Sequence, residues 1–462
     1  MFLKLLPHSV KKYFLMSKRQ RRHELQLTLW RTPFYYILAT FFLVALTLYV
    51  DVGLGLAQYT NDFFQAGFDT TRLLISSLIG GILTLSAFTL NSLLVVLTTF
   101  SGQFSPRLLQ NFVKDKQTQH VLGIFNGSFV FVLIMFLVIS SHPVDYFVAV
   151  PLVTAGIAFI TALTFIYFIN HATAWMQVHN ITDGMKKVSE DIITGSLKQD
   201  LESYRVKEPG ELYKSLETKK KFVRSPKSGY IELIDFYPLV EQAKKDNIII
   251  KMETRVGGFT LVDNLLFSYW GPGAENINEE KYRDMIVIGH KELEIQDLKL
   301  TLNKLSEVAI KAMGNDDPKT ATNTIHQLSD LLLTLDNHIT FSPYLADPDK
   351  QVRLITSTDD FDFYLYQGFG TIRHYAQKNY PIITEMIASL EKLAKSIDSS
   401  RHEDLWKFAK NTIDHVYTEF IFDLDRDLLL KKVYELAEAT DNIKGYYEIE
   451  EHLTGSRSDG HN

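Results

Sequence analysis

The stretch LLISSLIGGILTLSAFTLNSLLVVLTTF, residues 73–100, decides the fold class of this chain. It runs without a single Asp, Glu, Lys, Arg or His. At a rise of about 1.5 Å per residue, a helix of this length crosses a hydrocarbon core about 30 Å thick. Three more stretches lack charge in the same way, at residues 34–50, 121–139 and 147–169. We therefore predict a four-helix transmembrane domain over residues 33–171.

The orientation of these helices follows from the Lys and Arg residues in the short loops. The loop after the first stretch is acidic, and the turn at 140–146 carries only Asp145 and His142. Basic residues gather in the tail 1–32 and in the loop after the second stretch, namely Lys11, Lys12, Lys18, Arg19, Arg21, Arg22, Arg31, Arg107, Lys114 and Lys116. The pattern predicts a multi-pass protein of the cell (inner or plasma) membrane, with a basic cytoplasmic N-terminal tail and a cytoplasmic C-terminus. No secretory signal peptide is expected, because residues 1–12 lack an uninterrupted apolar core.

Charge and cysteine content exclude several classes of partner and site. Of 48 Lys/Arg and 54 Asp/Glu residues, 12 and 6 precede His171, so the front part is basic and the remainder, with 36 and 48, is acidic. An acidic soluble part argues against a nucleic-acid partner, which needs clustered basic side chains. The chain has no cysteine, so it forms no disulfide and no thiolate metal site.

Polar residues within the predicted spans need a reason. Ser77, Thr84, Asn91 and Thr98 recur every seven residues along the second stretch, a period that keeps them on one face of the helix. They form either a helix-packing seam or the lining of a polar pathway. Asn91 is hardest to explain as filler, because its amide needs partners inside a membrane. In the third stretch, Gly123 and Gly127 form a small-xxx-small pair typical of close helix packing.

The remainder of the chain predicts a cytoplasmic α+β domain. We expect a connecting helix over residues 172–210, then a small β barrel or sandwich module over 211–275, where short β-rich runs alternate with Gly and Asn turns. Helical periodicity returns over 276–454 and predicts a helical bundle. Residues 455–462 are expected to be a disordered tail.

Several motifs resemble a bacterial family of predicted membrane proteins, domain of unknown function 2254. The first run is Gln103-Phe104-Ser105-Pro106-Arg107-Leu108-Leu109, followed by Val121-Leu122-Gly123-Ile124-Phe125 and Gly127-Ser128-Phe129-Val130. Later matches are Ser228-Gly229-Tyr230-Ile231 with Asp235, Arg255 with Gly257-Gly258-Phe259, and Asn315-Asp316-Asp317-Pro318 with Thr320-Ala321. The resemblance covers most of the chain. Where the family pattern has a Ser-Pro pair before its Asn-Asp-Pro turn, this chain has Ala312-Met313 and an extra acid. Because that family is uncharacterised, the resemblance implies an architecture and no activity.

Motifs for enzyme chemistry are absent from the sequence. There is no phosphate-binding Gly-rich loop, no His-Glu-x-x-His and no Gly-x-Ser-x-Gly, so we predict no catalytic residues, no metal site, no cofactor and no enzyme activity. The alternating acids Asp423, Asp425 and Asp427 lack the Gly and the closing Glu of a calcium loop. Asn315, Asp316 and Asp317 are either a ligand-binding turn or a helix cap before Pro318, and the two interpretations are compatible.

Three hypotheses of function follow. In the first, the chain is an oligomeric channel or transport protein, with Gln103, Ser105 and Arg107 at the inner mouth of the second span. In the second, the spans only anchor a regulatory or scaffold domain that binds a cytoplasmic protein or a small ligand. The third, an enzyme, has no support from motifs. The first is preferred narrowly, with the lipid bilayer and further copies of the chain as partners.

Overall fold

A computed structural model describes residues 31–103, 115–141, 145–175, 177–197, 201–209, 217, 219–290, 292, 297–357, 359–376, 379–415 and 422–455. Every structural statement below concerns those residues. The predicted tail 455–462 lies outside the described residues, except for Gly455. The chain divides into two compact units, Met1–Gln177 and Val178–Asn462.

The first unit is built from long apolar helices. Their bounds are α1 Arg31–Leu48, α2 Phe68–Gln103, α3 Lys116–Ser141 and α4 Ala149–Trp175. A π-helical turn, Tyr49–Gly53, extends α1, and a two-stranded ribbon pairs β1 Ala66–Gly67 with β2 Tyr146–Phe147. Four described segments are long and apolar enough to cross a membrane: Arg31–Gly53, Phe68–Val96, Lys116–Ser141 and Ala149–Ala174. They include each of the four stretches expected from sequence except the last four residues of the second and the first two of the fourth.

The interior of this bundle is made by one face of each helix. Ile75, Ile82, Thr89 and Val96 of α2 are buried and recur every seven residues. Ile75 and Ile82 belong to a core that includes Phe131, Val132, Met135 and Ile139 of α3 and Val44 of α1. Because neighbouring side chains are as apolar as lipid, close van der Waals contact and interhelical hydrogen bonds hold such a bundle together.

The second unit mixes helices with short strands. Its longer helices are α5 Val178–Asp191, α6 Phe236–Lys245, α8 Leu298–Gly314, α9 Pro318–His338, α12 Tyr380–Ala394, α13 His402–Ile413, α14 Asp423–Ala439 and α15 Ile443–Gly455. Three short ones are α7 Glu279–Arg283, α10 Phe361–Leu365 and α11 Thr371–Tyr375. The strands are β3 Arg205–Val206, β4 Lys221–Arg224, β5 Gly229–Ile234, β6 Ile249–Met252, β7 Phe259–Thr260, β8 Leu265–Trp270, β9 Ile286–Gly289, β10 Tyr344–Ala346 and β11 Val352–Ile355.

The strands form open sheets, so the predicted β barrel is wrong. One sheet has six strands in the order β3-β10-β11-β6-β8-β4, and the other has three in the order β7-β5-β9. Both end in edge strands and neither closes on itself. Strands β10 and β11, which follow two long helices in the sequence, pair into the six-stranded sheet. The strands of residues 211–275 are divided between the two sheets: β4, β6 and β8 lie in the one that contains β10 and β11, whereas β5 and β7 lie in the other with β9.

One pair of neighbours in the larger sheet is parallel. Leu354 of β11 stands opposite Ile250 of β6, and both side chains are buried. The shared core of the two sheets also holds Phe267, Tyr269 and Tyr282. Parallel strands are buried on both faces, and the run Ile248–Ile250 is apolar at every position. Because β6 and β11 run in the same direction, their carboxyl ends lie at the same edge of the sheet.

Candidate functional site

The polar stripe of α2 lies on the face that the bundle leaves uncovered. Ser77, Thr84, Asn91 and Thr98 are all exposed. They stand two residues after the buried positions 75, 82, 89 and 96, which is about 200° around a helix. The stripe and the buried row therefore occupy opposite faces of α2. Within one copy of the chain, the described residues therefore leave the stripe exposed.

The three hydroxyl groups of the stripe are satisfied by their own helix. Ser77 donates to the carbonyl of Leu73 over 2.9 Å, Thr84 to Gly80 over 2.8 Å, and Thr98 to Val95 over 2.9 Å. Such bonds let Ser and Thr face lipid without a partner from another helix. Hydroxyl groups alone therefore do not distinguish a pathway from a lipid-facing surface.

Asn91 differs from the other members of the stripe. Its side-chain amide makes no hydrogen bond within the described part of the chain. Asn126 of α3 is a useful contrast, because its side chain is also exposed but donates to the carbonyl of Leu122 over 2.8 Å. On the same face of α2 as the stripe, Gly80 and Gly81 have open space where a Cβ would stand. This face offers a polar group without a partner and room for another helix.

Gly123 and Gly127 of α3 lie against α1. A Cβ on Gly123 would stand 2.4 Å from Cδ2 of Tyr36, and one on Gly127 would stand 3.0 Å from Oγ1 of Thr40. The hydroxyl of Thr40 donates to the carbonyl of Gly127 over 3.2 Å. The two glycines therefore let the backbones of α1 and α3 approach closely enough to share this hydrogen bond.

A polar cluster closes the end of the bundle where α3 begins and α4 ends. Nε2 of His171 is 2.9 Å from Oδ2 of Asp115, and the same carboxylate accepts from the backbone nitrogen of Thr118 over 3.0 Å. Burial acts to raise the pKa of Asp115, but the hydrogen bonds from His171 and Thr118 outweigh it and hold that pKa below its usual value. The ring of Tyr167 stacks on His171. The sequence patterns did not predict that these side chains lie together.

At the opposite end of the bundle, where α4 begins, Asp51 forms a similar set of hydrogen bonds. Its side chain is buried, with the residue only 6% exposed. The carboxylate accepts hydrogen bonds from the backbone nitrogens of Val148, Ala149 and Val150, over 3.1, 2.8 and 2.7 Å. These groups belong to the start of α4, where backbone donors lack partners within the helix. The sequence signal for this role is an acidic residue directly after an apolar stretch. The sequence does not identify its partners, because they lie far along the chain.

The remaining candidates from the sequence divide into two groups. Ser105 and Arg107 lie outside the described residues, as does the side chain of Gln103, which ends α2. Asp317 caps α9, accepting from the backbone nitrogen of Thr320 over 3.1 Å with Pro318 as the first helical residue. Next to it, Asn315 and Asp316 are exposed.

No group of three or more acidic or His side chains suited to a metal ion occurs among the described residues. The alternating acids near residue 425 begin α14, and Asp423 and Asp427 pair there with Arg426.

Comparison with known proteins identifies relatives but no activity. A family model described as Predicted membrane protein (DUF2254) matches residues 26–392. Uncharacterized proteins of Mycobacterium bovis and Mycobacterium tuberculosis are each 24% identical to this chain over 343 residues, which is 71% of this chain and 65% of theirs. The match thus spans just under two thirds of the length of those relatives. No solved structure matches the chain.

Proposed function

Because this chain belongs to the family of predicted membrane proteins DUF2254, we propose that it acts in a membrane as an oligomeric channel or transport protein. In this proposal the uncovered face of α2 in each copy borders the pathway. The function is not enzymatic, in keeping with the absence of catalytic motifs from the sequence. The transported species is one with which the hydroxyl groups and the amide of the stripe can form hydrogen bonds in place of water.

The proposal rests on Asn91. Its carboxamide is exposed within a candidate span and makes no hydrogen bond in the described part of the chain. Burying such a group in hydrocarbon without a partner costs about 1–3 kcal/mol or more. Water in a pathway, or a polar group from a second copy, removes this cost. Either solution places the stripe away from lipid.

A homo-oligomer supplies the second wall that the proposal requires. Gly80 and Gly81 lie three and four residues after Ser77, so they share the uncovered face. Nothing stands within 4 Å of the position where a Cβ would be at either glycine. Small residues at such a surface allow a neighbouring helix to approach closely. Copies that meet through this face would place their stripes around a common axis.

The proposed setting is the cell membrane, with both termini in the cytoplasm. The bias of Lys and Arg toward the tail and the loop after the second span supports this orientation. The unit Val178–Asn462 then lies in the cytoplasm, where it assembles or gates the channel and meets any protein or small ligand. Because the chain lacks cysteine, single cysteines at Asp62 and Asn462 test the topology: only the first should be labelled from outside intact cells.

Ion flux in vesicles that hold the purified full-length protein tests the channel proposal. Asn91→Leu should abolish flux while leaving the oligomer intact, because an apolar side chain in a narrow pathway favours loss of water. Asn126→Leu is the matched control, since that exposed amide is already satisfied within its own helix. It should leave both flux and assembly unchanged.

The alternative is a membrane-anchored regulator or scaffold, favoured by the way the hydroxyls of the stripe satisfy themselves within α2. In that case Asn91 bridges copies of the chain, and Asn91→Leu weakens assembly by removing a hydrogen bond worth about 0.6 kcal/mol on average in a membrane. Wild-type vesicles that pass no ion across a range of salts, voltages and pH would refute the channel and promote this alternative.

A further inference from the structure

A cavity in the unit Val178–Asn462 lies where the two parallel strands end. Its volume is about 110 Å³. Residues 254–257, which follow β6, line one side, and residues 356, 357 and 359, which follow β11, line another. The start of α8, with Asp297, Leu298 and Lys299, closes the site. Ligands of sheets with parallel strands commonly bind beyond the carboxyl ends of those strands.

A glycine lets the loop after β6 meet the cap of α8. Gly257 has a φ of +78°, and a Cβ there would stand 1.9 Å from Oδ2 of Asp297. Any other residue would therefore displace the carboxylate or the loop, besides adopting an unfavourable left-handed backbone conformation. Gly257 lies in the Arg255-Gly257-Gly258-Phe259 group through which this sequence resembles its family. This wall of the cavity depends on one residue having no side chain.

Asp297 is a buried acid in the wall of the cavity. It is 6% exposed, and its carboxylate caps α8 by accepting from the backbone nitrogen of Leu300 over 3.3 Å. No Lys or Arg of the described chain forms an ion pair with it. Burial raises the pKa of Asp297 to about 6, and the charge of Glu292 adds to that rise. Hydrogen bonds from the backbone nitrogens of Leu300 and Lys299, together with the charge of Lys299, oppose it. Within the described part of the chain, this carboxylate is therefore held by backbone donors and by the nearby charge of Lys299, without a direct ion pair.

Lys299 and Tyr364 add a cation and a hydroxyl group to the cavity wall. The ammonium of Lys299 and the hydroxyl of Tyr364 make no hydrogen bond or ion pair with described residues. The other basic groups of the wall are engaged: Nε of Arg205 is 2.7 Å from Oε1 of Glu202, and Nη1 of Arg255 is 2.5 Å from Oδ1 of Asp359. The carboxylate of Asp297, the ammonium of Lys299 and the hydroxyl of Tyr364 thus belong to the cavity wall, together with the hydroxyl groups of Thr254, Thr340 and Ser357.

We propose that this cavity binds a small zwitterion of the amino-acid class, its ammonium group at Asp297 and its carboxylate at Lys299 and the Tyr364 hydroxyl. A ligand with one charge would engage only Asp297 or only Lys299, whereas a zwitterion gives the buried Asp297 a cation and the half-buried Lys299 an anion. The volume suits a compact ligand, because one water occupies about 10–15 Å³ of such space and the cavity holds roughly seven to eleven atoms of that size. This site goes beyond the proposed channel and does not depend on it.

Calorimetric titration of the full-length protein in detergent tests the proposal. The probes are glycine, L-alanine, L-serine, L-proline, L-valine and L-glutamine, each paired with its analogue that lacks the amine and its analogue that lacks the carboxylate. We expect at least one amino acid to bind. Each of its two analogues should bind roughly tenfold to a hundredfold more weakly, because each loses one charge-assisted contact.

Variants assign the binding to this cavity. Asp297→Asn and Lys299→Met should each reduce the affinity for that amino acid by a similar factor. The Asn variant also remains a good helix cap, so the fold is preserved. Asp316→Asn and Lys319→Met make the same changes at exposed positions away from the cavity and should not alter the affinity. Binding of no probe up to about 10 mM, a weak-binding limit, would overturn the proposal. So would equal affinity for an amino acid and its single-charge analogues, or unchanged affinity in both cavity variants.

Discussion

One carboxylate oxygen of Asp51, at the end of α1, lies 2.7 Å from the backbone nitrogen of Val150 in the first turn of α4. The two residues are 99 positions apart in the sequence. The acid caps the positive end of the α4 dipole while its own charge is satisfied by three backbone donors. This contact ties the first candidate span to the last at one end of the bundle.

Replacing Asp51 should therefore loosen the bundle. In Asp51→Asn one oxygen becomes an NH₂ group, which cannot accept a hydrogen bond from the start of α4, and the charge is lost. We expect a loss of about 2–3 kcal/mol in the free energy of unfolding, measured by unfolding in mixed micelles of mild detergent and dodecyl sulfate. Asp62→Asn, at an exposed position in the same loop, is the control and should change stability little. Equal effects of the two variants would contradict the capping role.

Gly123 should tolerate no side chain. Gly123→Ala would place Cβ 2.4 Å from the ring of Tyr36. Either α1 and α3 must then separate, or the ring must move and break the 3.1 Å hydrogen bond between the Tyr36 hydroxyl and Nδ1 of His120. Overpacking of this kind costs about 1–3 kcal/mol, which the same unfolding assay would detect.

Gly156→Ala in α4 is the matched control for that change. Nothing lies within 4 Å of the added Cβ, and Ala favours a helix over Gly by about 1 kcal/mol. This variant should therefore be as stable as the wild type or more so. A destabilised Gly156→Ala together with an unaffected Gly123→Ala would show that the contact with Tyr36 does not limit the approach of the helices.

Asp297→Asn should stabilise the protein in a manner that depends on pH. The folded pKa of Asp297 is about 6, against 3.8 for the free side chain. Below pH 3.8 both folded and unfolded forms are protonated and the acid costs nothing. As the pH rises to 6 and beyond, the unfolded form releases its proton first, which favours unfolding. The full penalty above pH 6 is about 3 kcal/mol.

The gain in melting temperature of Asp297→Asn should thus be present at pH 8 and vanish near pH 4. Asp317→Asn provides the comparison, because it replaces another capping acid in a half-buried position, and its effect should be small at both pH values. A gain from Asp297→Asn that is equal at pH 4 and pH 8 would show that Asp297 does not titrate as described.

Periodicity predicted those parts of the structure that depend on neighbouring residues in the chain. The four apolar helices follow from the length of their uncharged stretches. The stripe from Ser77 to Thr98 lies on one face because its period is seven. Asp317 caps α9 for a local reason too, since a capping acid and the nitrogen it binds are three residues apart. These interactions are short in sequence, so a single chain is enough to read them.

Tertiary structure alone decided the features that join distant segments. The strands expected in one closed module divide between two open sheets, one of which also contains the distant β10 and β11, and the parallel pair of β6 and β11 created the edge where the cavity lies. Asp51 meets Val150, and Gly257 makes room for Asp297, across long separations in the chain. Pairing of strands and burial of a charge depend on which surfaces meet after folding, and periodicity along one segment carries no information about its partner. Local sequence therefore determined the helices and the stripe. Long-range packing determined the two sheets, the capping of α4 by Asp51 and the cavity.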